Sequence, residues 1–167
     1  MTITAPAAKP LDVLKLPWDL TEWQPKEVLW SWIVEEIEAL DWTNAGLIDH
    51  LRAHPGFRPK LLLCLITYGY ATEVWASADI ARLYDGQPFI RTLDAAGAPA
   101  PGAVARFRRE NRGLLKWALA SLLKRVVKAH FGLDQGLFPA GLKRFVADAA
   151  VARIDIARHF ERGTQGA

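Results

Sequence analysis

The sequence predicts an all-α protein: a compact helical cluster with a helix-turn-helix-like segment and one long helix in its C-terminal half. Three observations carry this. Apolar residues recur three and four apart through most of the chain, the spacing of a helix face. Pro25, Pro59, Pro88 and Pro101 each precede such a stretch, where a proline suits the first helical turn. No window alternates apolar and polar residues in steps of two and no internal repeat is visible, so sheet content should be near zero.

Residues 1–10, rich in Thr, Ala and Pro, offer little apolar surface to bury and read as a frayed tail. From Pro25, the residues Leu29, Ile33, Ile37 and Leu40 mark a helix over 25–40, with Glu35, Glu36 and Glu38 off that stripe. Thr43 and Asn44 can cap a short helix through His50, ended by Pro55-Gly56. The next helix, LLLCLITYGYATEV, is apolar on nearly every side, which places Leu61 to Val74 at the centre of the core. Ser77 is the expected cap of SADIARLY, and a further short helix follows near Pro88.

Asp94 to Gly102 is a loop by composition, and Pro101 is placed to start a long helix reaching His130. At 100° per residue, Val104, Phe107, Asn111, Leu115, Ala118, Leu122 and Val126 share one stripe. Arg106, Arg109, Arg112, Lys116, Lys124 and Lys128 fall on the opposite arc. Arg108 lies near the apolar stripe, where a salt bridge or a carbonyl contact inside the fold is its expected role. A last amphipathic helix is expected over 140–160, with Leu142, Val146, Ala149, Ile156 and Phe160 inward.

With 167 residues, 51% of them hydrophobic and 23% charged, the chain fits one globular core, expected over 11–162 with a second frayed end at 163–167. Cys64 is the only cysteine, so no intrachain disulfide and no thiolate zinc cluster is expected, which fits a reducing compartment. Met1 to Lys9 lacks the pattern of a signal peptide, and Leu61 to Val74 is too short to span a bilayer. The expectation is a cytoplasmic, nucleoid-associated protein with no membrane contact.

Charge is unevenly distributed. Residues 1–100 hold 8 Lys or Arg against 13 Asp or Glu, a net of −5, whereas residues 101–167 hold 13 against 5, a net of +8. A basic half of this kind is suited to a polyanion. Catalytic chemistry has little to stand on. His50 and His54 are one turn apart but belong to no metal-ligand pattern, and the three glutamates near residue 36 point in different directions on a helix. There is no phosphate-cradling glycine loop and no nucleophile elbow, so no enzyme, metal or cofactor is expected.

Five of the seven tryptophans, Trp18, Trp23, Trp30, Trp32 and Trp42, cluster within residues 18–42 of the acidic half, where phosphate would be repelled. They read as core or partner-contact residues. Trp117 falls on the basic arc and could stack on a sugar or base, or pack against the last helix. The run ARFRRENR, Ala105 to Arg112, opens a helix that follows short helices and a loop, the order of a helix-turn-helix reader. Arginine suits that position because its planar fork can clamp a phosphate or bond guanine O6 and N7 together.

Taken together, RPKLLLCLITYGYATEVWASADIARLYDGQPFIRTL and VARFRRENRGLL, within residues 58–130, resemble the N-terminal domain of insertion-sequence transposases of the InsH type. The residues that carry the resemblance are Tyr68, Gly69, Tyr70, Ser77, Ile80, Phe89, Arg106, Phe107 and Arg108. It implies a helical module that binds element-end DNA and helps transposase subunits pair. The chain departs from the family in APAPGAVARF, which lacks the usual Pro-Asp and Ser or Thr before the Arg-Phe-Arg helix. The family's following RNase H-like domain, with its catalytic acids, has no counterpart in LKRFVADAAVARIDIARHF, which reads as helix; Asp148 and Asp155 do not replace those acids.

The expected function is therefore a catalytically empty, transposase N-terminal-like protein: a regulator, a split-transposase subunit or a remnant. It would bind double-stranded DNA through Arg106, Arg109, Arg112 and Lys116, with Arg91 bracing the backbone. The alternative is an interaction module that pairs with itself or with a transposase through the Trp-rich acidic segment.

Overall fold

A computed structural model describes residues 15–40, 58–133 and 139–166. The expected helix over 43–50, His50, His54, Trp42 and the tail over 1–10 lie outside the described residues. Among the described residues six α-helices follow in order: α1 (Lys26–Glu38), α2 (Pro59–Ala71), α3 (Ser77–Gly86), α4 (Pro101–Glu110), α5 (Arg112–Phe131) and α6 (Ala140–Gly166). Two 3-10 segments, Leu20–Glu22 and Pro88–Thr92, precede α1 and follow α3. The only pairing of extended backbone among the described residues is an isolated bridge between Asp19 and Thr72, so the fold is all-α.

The near-continuous apolar run makes α2 the hub. Every residue from Leu61 to Ala71 is buried. Around it pack α1, α3 and α5, while α6 lies mainly along α5 and α4 mainly along α3. Trp30, Tyr68 and Phe89 meet pairwise with ring centroids 5.9 Å apart, tying α1, α2 and the second 3-10 segment into one aromatic cluster. Gly69 is needed where α2 meets α3, since a Cβ there would lie 3.0 Å from both Ile80 Cγ1 and the Val74 carbonyl oxygen.

The hub helix stops at Ala71 rather than running on to Val74. Glu73 adopts a left-handed φ of 62°, and the Val74 amide donates back to the Gly69 carbonyl at 2.8 Å. This is a Schellman closure with a glutamate where glycine is usual. Ser77 does not cap α3 as expected. Ala76 holds the cap position, and the Ser77 hydroxyl is turned into the interior without a hydrogen-bond partner.

The expected single helix from Pro101 to His130 is two helices, and the longest described helix is α6. The break falls at Asn111, with φ −130° and ψ 37°. Its side-chain amide donates to the Phe107 carbonyl at 3.0 Å, while its own carbonyl accepts the Leu115 amide at 3.0 Å to begin α5. A short polar side chain has thus competed with the helical ladder for a backbone acceptor. The inward stripe nevertheless survives on both sides, with Val104, Phe107, Leu115, Ala118, Leu122 and Val126 all buried. At its far end α5 is closed by Gly132, φ 63°, where the Leu133 amide reaches the Lys128 carbonyl at 2.9 Å.

The last helix differs in phase and length from expectation. Its buried residues are Leu142, Val146, Ala150, Arg153, Ile154, Ala157 and Glu161, whereas Ala149 and Ile156 are half-buried and Phe160 is exposed. It also runs past Phe160 to Gly166, so residues 163–166, expected as a frayed end, are helical. The rotation is explained by Arg153. Its guanidinium donates to the carbonyls of Pro17 and Trp18 at 2.8 and 2.7 Å and also to that of Tyr70, and it lies over the Trp18 ring, 5.2 Å from its centroid. Tyr70 is in the last turn of α2, whose final carbonyls have no helical partner, so a buried cation there caps the hub.

Candidate nucleic-acid interface

The loop and short helices ahead of α4 fix where its basic residues emerge. Arg58 grips Asp94 with two 2.8 Å hydrogen bonds, from Nε and Nη2, which anchors the start of α2 to the loop. Tyr84 donates to the Asp94 carbonyl at 2.7 Å and accepts the Gly97 amide at 3.1 Å. The Arg58 hydrogen bonds hold the Asp94 carboxyl below the usual carboxylate range. The connection between α3 and α4 covers residues 87–100, longer than the roughly three- or four-residue turn of a tight helix-turn-helix. It is these side-chain contacts that hold the connection.

Within α4, Val104 and Phe107 are buried, and Phe107 retains 1% of its surface. Their burial turns Arg106 and Arg109 outward, and both are exposed. Arg106 keeps 54% of its side-chain surface and lies 3.4 Å from Glu110, one turn on. Lys116, in the second turn of α5, is exposed as well. Trp117 beside it retains 39%.

Of the five expected contact residues, Arg91 and Arg112 join Arg106 in having partners within the chain. Arg91, on the short helical segment ahead of α4 as expected, donates to the Asp85 carbonyl at 3.1 Å and lies 4.0 Å from the Asp85 carboxylate. Arg112 does not lie free on the basic arc. Its Nη2 donates to Glu161 Oε2 at 2.9 Å and its Nη1 to the Arg109 carbonyl at 3.3 Å. This pairing follows from the break at Asn111, which makes Arg112 the first residue of a new helix, and from α6, which delivers a carboxylate beside it.

Arg108 fills the interior role expected of it. It is 1% exposed, donates to the Trp75 carbonyl, and sits with Nε 3.4 Å from Glu161 Oε1. Glu161, 8% exposed, therefore stands between two guanidinium groups. Neither Glu161 nor Arg153 was singled out from the sequence. Their signal was the spacing itself: steps of three and four from Leu142 and Val146 lead through Ala150 to Arg153, Ala157 and Glu161.

A second basic region lies between α1 and α5. A cleft of about 480 Å³ is lined by Trp32, Glu36, Ser121, Lys124, Arg125 and Lys128, among others. Arg125 is engaged there, 3.1 Å from Glu35, 3.2 Å from Glu36 and 5.0 Å from the Trp32 ring centroid. Lys124 and Lys128, expected on the open basic arc, are half-buried in this cleft. Among the described residues no group of three His, Cys, Asp or Glu could hold a metal ion, and no helix is long and apolar enough to cross a membrane. Cys64 is buried, which pushes its thiol up and away from thiolate chemistry.

The chain matches no protein-family model, no curated protein and no solved structure.

Proposed function

We propose that this chain is a duplex-DNA-binding protein of the transposase N-terminal type, with no catalytic activity of its own. Arg106, Arg109 and Lys116 make its phosphate contacts. The observation that carries the reading is the division of labour within α4: Val104 and Phe107 are buried while Arg106 and Arg109 stay exposed. A net of +8 over residues 101–167 supplies the long-range attraction. Binding is then chiefly electrostatic and weakly dependent on sequence, because phosphate contacts fix position without reading bases.

The interaction-module reading draws less support. Of the tryptophans described in the acidic segment, Trp30 is in the core, Trp32 faces Arg125, and Trp23 stacks on His130 with ring centroids 3.6 Å apart. Their rings are engaged within the chain; Trp18 alone of these four is exposed. A mobility shift on duplex DNA at low salt, set beside light scattering of the protein alone, separates the two readings. A shifted band from a monomeric protein supports DNA binding. Stable self-association without a shift supports the interaction module.

A further inference from the structure

Arg112 stands apart from the cations around it. It keeps 38% of its side-chain surface, yet its guanidinium is held on two sides, by Glu161 Oε2 and by the Arg109 carbonyl, and its Nε is buried. Glu161 is nearly buried, so the pair is screened by solvent far less than an exposed one. Arg108 cannot take its place. Its Nε is 3.4 Å from Glu161 but out of hydrogen-bond alignment, and its own guanidinium is enclosed. If Arg112 turned to a phosphate, Glu161 would be left in the interior with that one poorly aligned neighbour, a state in which a buried charge is heavily penalised. One phosphate contact returns only about eightfold in affinity at 0.1 M salt.

We propose that Glu161 is a latch on the DNA-binding face. While α6 is docked on α5, Glu161 withholds Arg112 from phosphate, and withdrawal of Glu161 adds Arg112 as a fourth contact. The latch lies at the far end of α6, so any change that loosens that end raises affinity for DNA without altering Arg106, Arg109 or Lys116. This rests on the duplex-binding reading above.

The test is anisotropy of a labelled duplex of about 30 base pairs, titrated with salt between about 50 and 200 mM, for the parent, Arg112→Ala, Glu161→Gln and the double variant. Three contacts give the parent a slope of log affinity against log salt of about −2.7, a loss of roughly 40-fold over that range. Arg112→Ala keeps that slope. Glu161→Gln steepens it to about −3.6, a loss of roughly 150-fold, and the double variant returns it to the parental value. A slope near −1.8 in Arg112→Ala overturns the latch, because Arg112 would already be on a phosphate; so does a parental slope in Glu161→Gln. Arg112→Gln, whose side-chain amide can still donate to Glu161, should keep the parental slope as Arg112→Ala does, and a slope near −1.8 in it overturns the latch even when Glu161→Gln fails to fold. Absent or salt-independent binding by the parent, read before any substitution, instead overturns the duplex reading and the latch with it.

Discussion

Replacing Arg153 by Met removes a buried guanidinium while nearly filling its volume, and so isolates the hydrogen bonds from the packing. The side chain serves the carbonyls of Pro17, Trp18 and Tyr70, which join the segment before α1 and the end of α2 to α6. Hydrogen bonds from a charged donor contribute about 1.5–3 kcal/mol each. Burial works against them, pushing Arg153 down to about 10, which still leaves it charged at neutral pH. Taking the lower figure per bond, and crediting Met with the desolvation it no longer suffers, the net loss is about 3 kcal/mol. In urea, with an m-value of about 2 kcal/mol/M, the unfolding midpoint should fall by about 1.5 M. Arg153→Lys should recover only part of this, because one ammonium cannot reproduce the planar fork. A midpoint within about 0.3 M of the parent for Arg153→Met would refute the reasoning, since the three carbonyls would then be satisfied without the arginine.

Phe107→Ala should cost about 3–5 kcal/mol in denaturant unfolding, and DNA binding should fall only as the folded fraction falls. A variant as stable as the parent that loses binding would make Phe107 a residue that contacts DNA. Gly69→Ala should destabilise by about 1–3 kcal/mol, read in the same assay, because the added methyl meets the Val74 carbonyl, which is backbone and yields little. Asp94→Asn should lower stability at pH 7 by about 1 kcal/mol. Because the folded-state Asp94 carboxyl is lowered by Arg58, this contribution is fully present above the ordinary carboxylate value of about 4 and is lost as pH falls below it, so parent and variant should converge in acid-unfolding curves.

Much of the architecture was legible because it depends on hydrophobic period and on proline placement. The apolar run from Leu61 fixed the hub, and Pro59 and Pro101 each open a helix where the sequence indicated. The buried stripe through Val104, Phe107 and Leu115 was readable as well, and with it the outward aim of Arg106 and Arg109. What escaped was decided by polar side chains meeting backbone. Asn111 breaks the helix by bonding the Phe107 carbonyl, a competition that hydrophobic spacing does not register. Arg153 and Glu161 point inward on α6 because distant partners await them on α2, α4 and α5. A stripe chosen by hydrophobicity placed Phe160 there instead, and with it missed the carboxylate that holds Arg112.

The central claim is that α4 and the start of α5 present phosphate-binding cations which the fold itself does not need. It is tested most directly by changing Arg106, Arg109 and Lys116 together to Ala and measuring duplex affinity at about 50 mM salt alongside the thermal unfolding midpoint. All three are exposed, so the midpoint should stay within a few degrees of the parent. Affinity should fall by on the order of a thousandfold. A triple variant that binds duplex DNA as tightly as the parent would contradict the account and place the phosphate contacts elsewhere on the molecule.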